Sequence, residues 1–241
     1  FSAFVFKIQA NMNKAHRDRI AFMRIVSGRF DADKEVYHVQ GGKKLRLSRP
    51  QQLMAAEREI IEEAYAGDII GVFDPGIFSI GDTLCAPGKK FRFDPIPTFA
   101  PEHFKRVRSL DTMKRKQFLK GMEQIAQEGA IQIFKTPYTG MEEVIVGVVG
   151  TLQFDVLEYR LKNEYNVELY MEGLPYEYLR WIETDDGEPV KEEDLILGTD
   201  VKLVEDYKGN QLLLFGSQWA IGWTEERNKN LTFHEFGGTK F

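Results

Sequence analysis

The chain has 241 residues, 43% of them hydrophobic and 29% charged, with 21 Gly, 9 Pro and one cysteine. That balance excludes collagenous, disordered and low-complexity classes, and the length accommodates one large domain or two ordinary ones. A lone thiol, Cys85, and four scattered histidines exclude a disulfide scaffold and a structural zinc cluster, so a reducing, cytoplasmic setting is expected.

The opening residues FSAFVFKIQ read as the interior of a strand, with neither Met nor a charged leader, so a piece of a longer protein is expected. Through residues 1–84, short period-2 runs broken by turn residues predict an antiparallel β-barrel or sandwich. Phe4, Phe6 and Ile8 alternate with Val5, Lys7 and Gln9; Ile20, Phe22 and Arg24 alternate with Ala21, Met23 and Ile25. Strands at 36–40 and 43–48 flank Gly41-Gly42, a two-residue linker suited to the positive φ angles of a tight hairpin. A turn is expected at Asp74-Pro75-Gly76. Residues 94–101 hold three prolines in eight positions, which places a boundary between a β-barrel domain at 1–94 and an α+β domain at 95–241.

Beyond that boundary the period changes. A strand at 104–108 precedes a helix capped by Asp111, whose Phe118, Leu119, Met122, Ile125 and Ala126 follow 3.6-residue spacing, and Gly129 ends it. Strands at 130–134 and 144–149, a helix capped by Thr151, and a strand at 167–171 complete a β-α-β-β-α-β order over 102–172. This is the split βαβ arrangement of a ferredoxin-like sandwich. A weaker copy follows over 177–237: strand 178–183, a short helix near 188–195, strands 201–205 and 211–215, helix 217–227 and strand 231–236. Five acidic residues make that first helix equally suited to a solvated loop.

Charge divides unevenly. Residues 1–94 carry 15 Lys+Arg against 12 Asp+Glu, residues 95–135 carry 8 against 4, and residues 136–241 carry 9 against 21. A polyanion would approach the first 135 residues and be repelled by the remainder. Two basic groups are the candidate RNA contacts: Lys43, Lys44, Arg46 and Arg49 after the hairpin turn, and Lys105, Arg106 and Arg108 with Lys114, Arg115, Lys116 and Lys120 on the next helix. Neither is interleaved with aromatics, so shape and backbone contact with folded RNA fits better than base stacking.

Catalytic constellations are not visible. Gly88-Lys89-Lys90 lacks the earlier glycine and the Ser/Thr of a phosphate loop, and Asn13-Lys14-Ala15-His16 has His where a guanine-reading motif needs Asp. No histidine pair has helical spacing, Gly216-Ser217-Gln218-Trp219 is no nucleophile elbow, and Cys85 fits a buried structural thiol. The acidic group Asp185, Asp186, Glu188, Glu192, Glu193 and Asp194 lacks the spacing of a calcium loop.

Ala66-Gly67-Asp68-Ile69-Ile70-Gly71 and Ile80-Gly81-Asp82-Thr83-Leu84 resemble the second-domain barrel of ribosomal translation GTPases. Adding FVFKIQANMNKAHRDRIAFMRIVSGRF, Phe99-Ala100-Pro101-Glu102, Lys120-Gly121, Glu128-Gly129-Ala130 and VVGTLQFDV at 148–156, the chain resembles the bacterial peptide chain release factor 3 family. The resemblance thins after Glu172, with Trp181 its clearest anchor. It implies a translation-factor domain II barrel followed by the carboxy-terminal domain of a GTPase whose nucleotide-binding domain, with its GTP and Mg, lies outside this chain. It also implies partners: small-subunit ribosomal RNA and protein, the class I release factors whose departure the family promotes, and the absent GTP-binding domain. No catalytic residue and no metal ligand is implied here. A translocase-type elongation factor, a hydrolase or transferase working through the acidic residues, and an RNA-free adaptor are the alternatives the residues leave open.

Overall fold

The computed structural model describes residues 1–10, 19–54, 57–89, 91–137 and 143–237. The Asn13 to His16 stretch and Lys90 lie outside them. Two compact units result: Phe1–Ile96 with Gln127–Gly129, and Pro97–Ala126 with Ala130–Phe241.

The first unit contains β1 (Ser2–Ala10), β2 (Arg19–Ser27), β3 (Arg29–Asp31), β4 (Val36–His38), β5 (Lys43–Leu45), β6 (Ser48–Met54), β7 (Glu57–Ile60), β8 (Glu63–Tyr65), β9 (Ile69–Phe73) and β10 (Thr83–Cys85). Eight of these form one antiparallel sheet in the order β5-β4-β10-β1-β2-β9-β6-β7, and β3 pairs with β8 in a small ribbon. The sheet curls into a half-barrel around Val5, Ile8, Met23, Ile25, Phe30, Ile70, Val72 and Leu84.

Strict alternation along β1 does not hold. Val5 pairs with Met23 and Lys7 with Phe22, so Phe6 is an extra residue, a β-bulge. The bulge flips the register, and the buried positions are Ala3 and Val5 before it and Ile8 and Ala10 after it. Phe4, Phe6 and Ile8 therefore do not share one face.

The segment between β9 and β10 is irregular and is organised by Asp74, which is buried. Its Oδ1 accepts from the backbone N–H groups of Gly76 and Ile77, both at 2.8 Å, and its Oδ2 accepts from Arg19 Nε at 2.7 Å. Arg19 Nη2 also donates to the Phe78 carbonyl at 2.7 Å. A buried charge is tolerated only when paired and hydrogen-bonded in this way.

The second unit contains β11 (His103–Ser109), α1 (Arg115–Gln127), β12 (Gln132–Lys135), β13 (Glu143–Val148), α2 (Leu152–Tyr165), β14 (Leu169–Gly173), β15 (Tyr178–Thr184), β16 (Val201–Asp206), β17 (Gln211–Phe215), α3 (Gln218–Arg227) and β18 (Leu231–His234). Its antiparallel sheet runs β14-β11-β13-β12-β16-β17-β15-β18. The first four strands have the ferredoxin-like order of the split βαβ unit, and the last four repeat it in mirror sequence across the β12–β16 junction. The duplication is real, with one element missing. Where a helix is expected near 188–195 there is only a 3₁₀ turn at Glu192–Asp194. Pro189 and a run of exposed acids supply no apolar stripe to bury, and Asp186 Oδ1 accepts from the Glu188 N–H at 3.1 Å, holding a turn instead.

On one face of the sheet, α1 and α2 pack Phe118, Met122, Ile125, Phe154, Leu157 and Leu161 onto Val107, Ile133, Val144 and Val146. Each such side chain contributes about 1.5–3 kcal/mol when fully buried. On the other face, Phe104, Phe134 and Ile145 from the first half join Leu179, Trp181, Leu212 and Leu214 from the second in a single cluster. The sheet therefore curls until its halves share a core, and this explains why 144–148 and 212–215 are continuously apolar.

Helix starts differ from expectation in one place. Asp111 caps the 3₁₀ turn Thr112–Lys114 that leads into α1, accepting from the Met113 N–H. Thr151, by contrast, makes no side-chain cap bond; Gln153 Oε1 accepts instead from the N–H groups of Val149 and Gly150, both at 3.0 Å. Ser217 does cap α3 through the Ala220 N–H.

Replacing Asp74 with Ala leaves the buried Arg19 guanidinium without its counter-charge and the Gly76 and Ile77 N–H groups without their acceptor. A loss of about 3–5 kcal/mol in denaturant unfolding of the chain is expected, whereas a loss under about 1 kcal/mol would show that the pair is dispensable.

Candidate nucleic-acid interface

The first basic group sits on β5, the edge strand of the half-barrel sheet, and on the connection to β6. Val36 pairs with Leu45, Tyr37 with Lys44 and His38 with Lys43, so the expected hairpin forms, but with a four-residue loop, 39–42, rather than the two-residue linker. Only Gly42 of the glycine pair takes positive φ, +62°. The cause is His38. Its ring is buried, lies edge-on to Phe78 at 5.2 Å, and places Nε2 2.8 Å from Asp82 Oδ2. The ring also lies under Gly41, where a Cβ would come 2.4 Å from Nδ1, so glycine is required there for close approach.

Further bonds hold the loop to the start of β10. The Val39 N–H donates to the Thr83 carbonyl at 3.0 Å, the Thr83 N–H donates to Gln40 Oε1 at 2.8 Å, and Gln40 Nε2 donates to the Gly81 carbonyl at 3.3 Å. Asp82 itself accepts from the Ser79 N–H at 2.8 Å, and Asp68 repeats that device on the Tyr65 N–H at 2.8 Å. In both motifs the preceding glycine, Gly67 or Gly81, adopts φ above +90°, which side-chain-bearing residues avoid. The hairpin is thus a rigid arm, and Lys43, Lys44 and Arg46 stand exposed on it with Leu47 buried behind. Arg49 lies on β6, its side chain outside the described residues.

The second basic group does not form one surface. Lys105 points to the helix side of the sheet, its Nζ 4.6 Å from the Phe154 ring centroid. Arg106 and Arg108 engage their cross-strand neighbours on β14: Arg106 Nη1 donates to Glu172 Oε2 at 3.2 Å, and Arg108 stacks over Tyr170 at 4.6 Å. Arg115, Lys116 and Lys120 are exposed on α1 and Lys114 is half-buried just before it. The hairpin offers Lys43, Lys44 and Arg46 together on one short arm, whereas the second group is divided between the two faces of β11 and α1. Sequence reasoning missed His38 and Asp82, the residues that fix it; the Gly81-Asp82 pair was the available signal.

Among the described residues, the phosphate-loop near miss gains no support from its surroundings. The Gly88 turn leads into an irregular stretch, 91–97, and not into a helix whose N-terminus could receive a phosphate. Among the described residues no group of three or more His, Cys, Asp or Glu side chains is placed to hold a metal ion, and no helix is long and apolar enough to cross a membrane. The acidic residues 185–188 and 192–194 are exposed, and Asp186 is held below the usual carboxylate range by the Glu188 N–H and the Thr184 hydroxyl.

Residues 93–225 match the family model for Class II release factor RF3, C-terminal domain, and residues 1–87 match that for Elongation factor G domain 2. The first match alone spans more than half the chain. This chain belongs to the release factor 3 family. Peptide chain release factor 3 of Symbiobacterium thermophilum is 56% identical over 97% of this chain and 43% of its own length. Those of Gloeobacter violaceus and Listeria monocytogenes serovar 1/2a are each 47% identical, over 98% and 96% of this chain. The chain therefore spans less than half the length of these release factor 3 relatives. A crystal structure of a Thermus thermophilus protein shares the fold over 85% of this chain and 30% of its own, with a TM-score of 0.54 at 17% identity.

Cys85, on β10 beside the pinned hairpin, is fully buried and its thiol donates to the Lys89 carbonyl at 2.7 Å. Burial raises its pKa, so thiolate is suppressed at neutral pH. Ellman's reagent at a pH of about 7.5 is expected to react with it only once guanidinium has unfolded the chain; rapid labelling of the folded protein would contradict the packing described for β10.

Proposed function

We propose that this chain is the ribosome-docking and lever portion of a translation termination factor. The parent, on this reading, is a GTPase that binds the ribosome in the cytoplasm and promotes the departure and recycling of class I release factors after peptide release. GTP and Mg then belong to a domain outside this chain, and nothing in the present residues takes part in hydrolysis. Membership in the release factor 3 family supports the reading, as does the half-barrel that matches Elongation factor G domain 2.

The observation that carries it is the basic arm: Lys43, Lys44 and Arg46 project from an edge hairpin locked by His38 and Asp82. Exposed lysine and arginine on a fixed backbone gain by releasing phosphate counterions, and a rigid arm loses little conformational freedom on docking. Residues 136–241, with 9 cations against 21 carboxylates, would be repelled by the same RNA, so contact is one-sided. Small-subunit ribosomal RNA is the polyanion proposed, with a small-subunit protein alongside the second unit.

Co-sedimentation with purified small subunits across a salt series tests this. Saturable binding that weakens steeply with salt is expected. Reversing Lys43, Lys44 and Arg46 together to Glu should lower affinity by at least about tenfold and reduce the salt slope by roughly 2–3. Binding and slope unchanged by the triple reversal would remove the hairpin from the interface.

A further inference from the structure

The outer face of α3 carries a largely exposed tryptophan. Trp219 is 72% exposed, and Trp223, one turn later, lies with its ring centroid 6.3 Å away. Gly222, the residue before Trp223, is also exposed, and an added Cβ there would meet nothing within 4 Å. Glycine is among the least favourable residues in a helix interior, and no internal packing calls for it here. What it does provide is a patch of bare helix backbone beside the paired rings, which a partner can approach closely.

Charge around this face specifies the partner. Glu225 and Glu226 are exposed on the same helix. Asp200 approaches the helix start, its Oδ2 3.4 Å from Ser217 Oγ. At the other end, Asn228 Oδ1 accepts from the Ile196 N–H at 2.9 Å and Asn228 Nδ2 donates to the Ile196 carbonyl at 3.0 Å, which ties the loop carrying Glu192, Glu193 and Asp194 beside the helix. A polyanion is disfavoured by these carboxylates. A cation is not, and the structure shows how one is received: the Arg227 guanidinium carbon lies 4.0 Å from the centroid of the Trp223 ring. Among the described residues no cation of this chain lies over Trp219.

We propose that the α3 face formed by Trp219, Gly222 and Trp223 docks a Lys/Arg-rich polypeptide segment, one of whose cations sits over the open Trp219 ring as Arg227 sits over Trp223. The carboxylates flanking the helix select for positive charge, and the bare backbone at Gly222 lets the incoming segment lie close beside the tryptophans. The inference is independent of the basic hairpin and of RNA binding by the first unit.

Isothermal titration calorimetry of the full chain with a synthetic peptide of alternating arginine and glycine tests it, with a neutral serine–glycine peptide and poly(U) RNA as comparisons. Binding of the arginine peptide alone is expected to be salt-sensitive and to weaken on the order of tenfold in Trp219→Ala. Gly222→Leu, which favours the helix and so cannot act by unfolding it, should weaken binding comparably by covering the bare backbone patch. Equal binding of the neutral peptide, poly(U) binding abolished by Trp219→Ala, or affinity unchanged by both variants would overturn the proposal. So would a Trp219-dependent dimer in sedimentation velocity, which would make a second copy of the chain the occupant.

Discussion

Two buried carboxylates organise the half-barrel. Neither Asp74 nor Asp82 can stay in an apolar interior unless its oxygens are met by donors, so the chain around each is bent until they are. Asp74 gathers the amides that follow it and the Arg19 guanidinium; Asp82 gathers the Ser79 amide and the His38 ring. The nine-residue path from β9 to β10 is therefore folded without regular secondary structure. Because His38 is the residue that ends β4, the second of these carboxylates also sets the pose of the β4–β5 arm. Through it, a core electrostatic requirement decides where surface cations stand.

The second unit answers a different constraint. A sheet with helices on one face only must still dispose of the other, and here it does so by doubling the ferredoxin-like order and curling the eight strands so that the two halves share the Phe104, Phe134, Leu179 and Leu214 cluster. The surface of this unit carries exposed cations on α1, the Arg106–Glu172 and Arg108–Tyr170 pairs on the sheet, and carboxylates with two tryptophans around α3. The first unit presents cations on a hairpin; the second presents cations on α1 and carboxylates around the α3 tryptophans.

Much of this was legible in the residues. The βαββαβ order of the second unit followed from the periods of 104–171, because each helix there buries a clean 3.6-residue stripe, and the Gly41-Gly42 pair marked the hairpin. The Gly67-Asp68 and Gly81-Asp82 pairs carried the family resemblance for a physical reason: both are positive-φ glycines followed by an aspartate that closes a turn. What escaped was non-local. The His38–Asp82 contact spans 44 positions, the bulge at Phe6 is defined only by its partner strand, and alternation alone placed Ile8 on the wrong face. The basic residues 105–108 looked like one cluster because they are contiguous, yet a strand sends its neighbours to opposite faces, and β14 supplies Glu172 and Tyr170 to engage two of them. The short helix expected at 188–195 failed for want of an apolar stripe.

The central claim is that RNA meets this chain on one side, through the half-barrel's basic arm. Directed hydroxyl-radical probing tests it most directly, with an iron chelate tethered to a cysteine introduced at Lys44→Cys or at Glu193→Cys, the native Cys85 being buried and left unlabelled. With ribosome-bound protein, the account predicts strand cleavage of small-subunit ribosomal RNA from position 44 and little or none from position 193. Cleavage from 193 with none from 44 would contradict it.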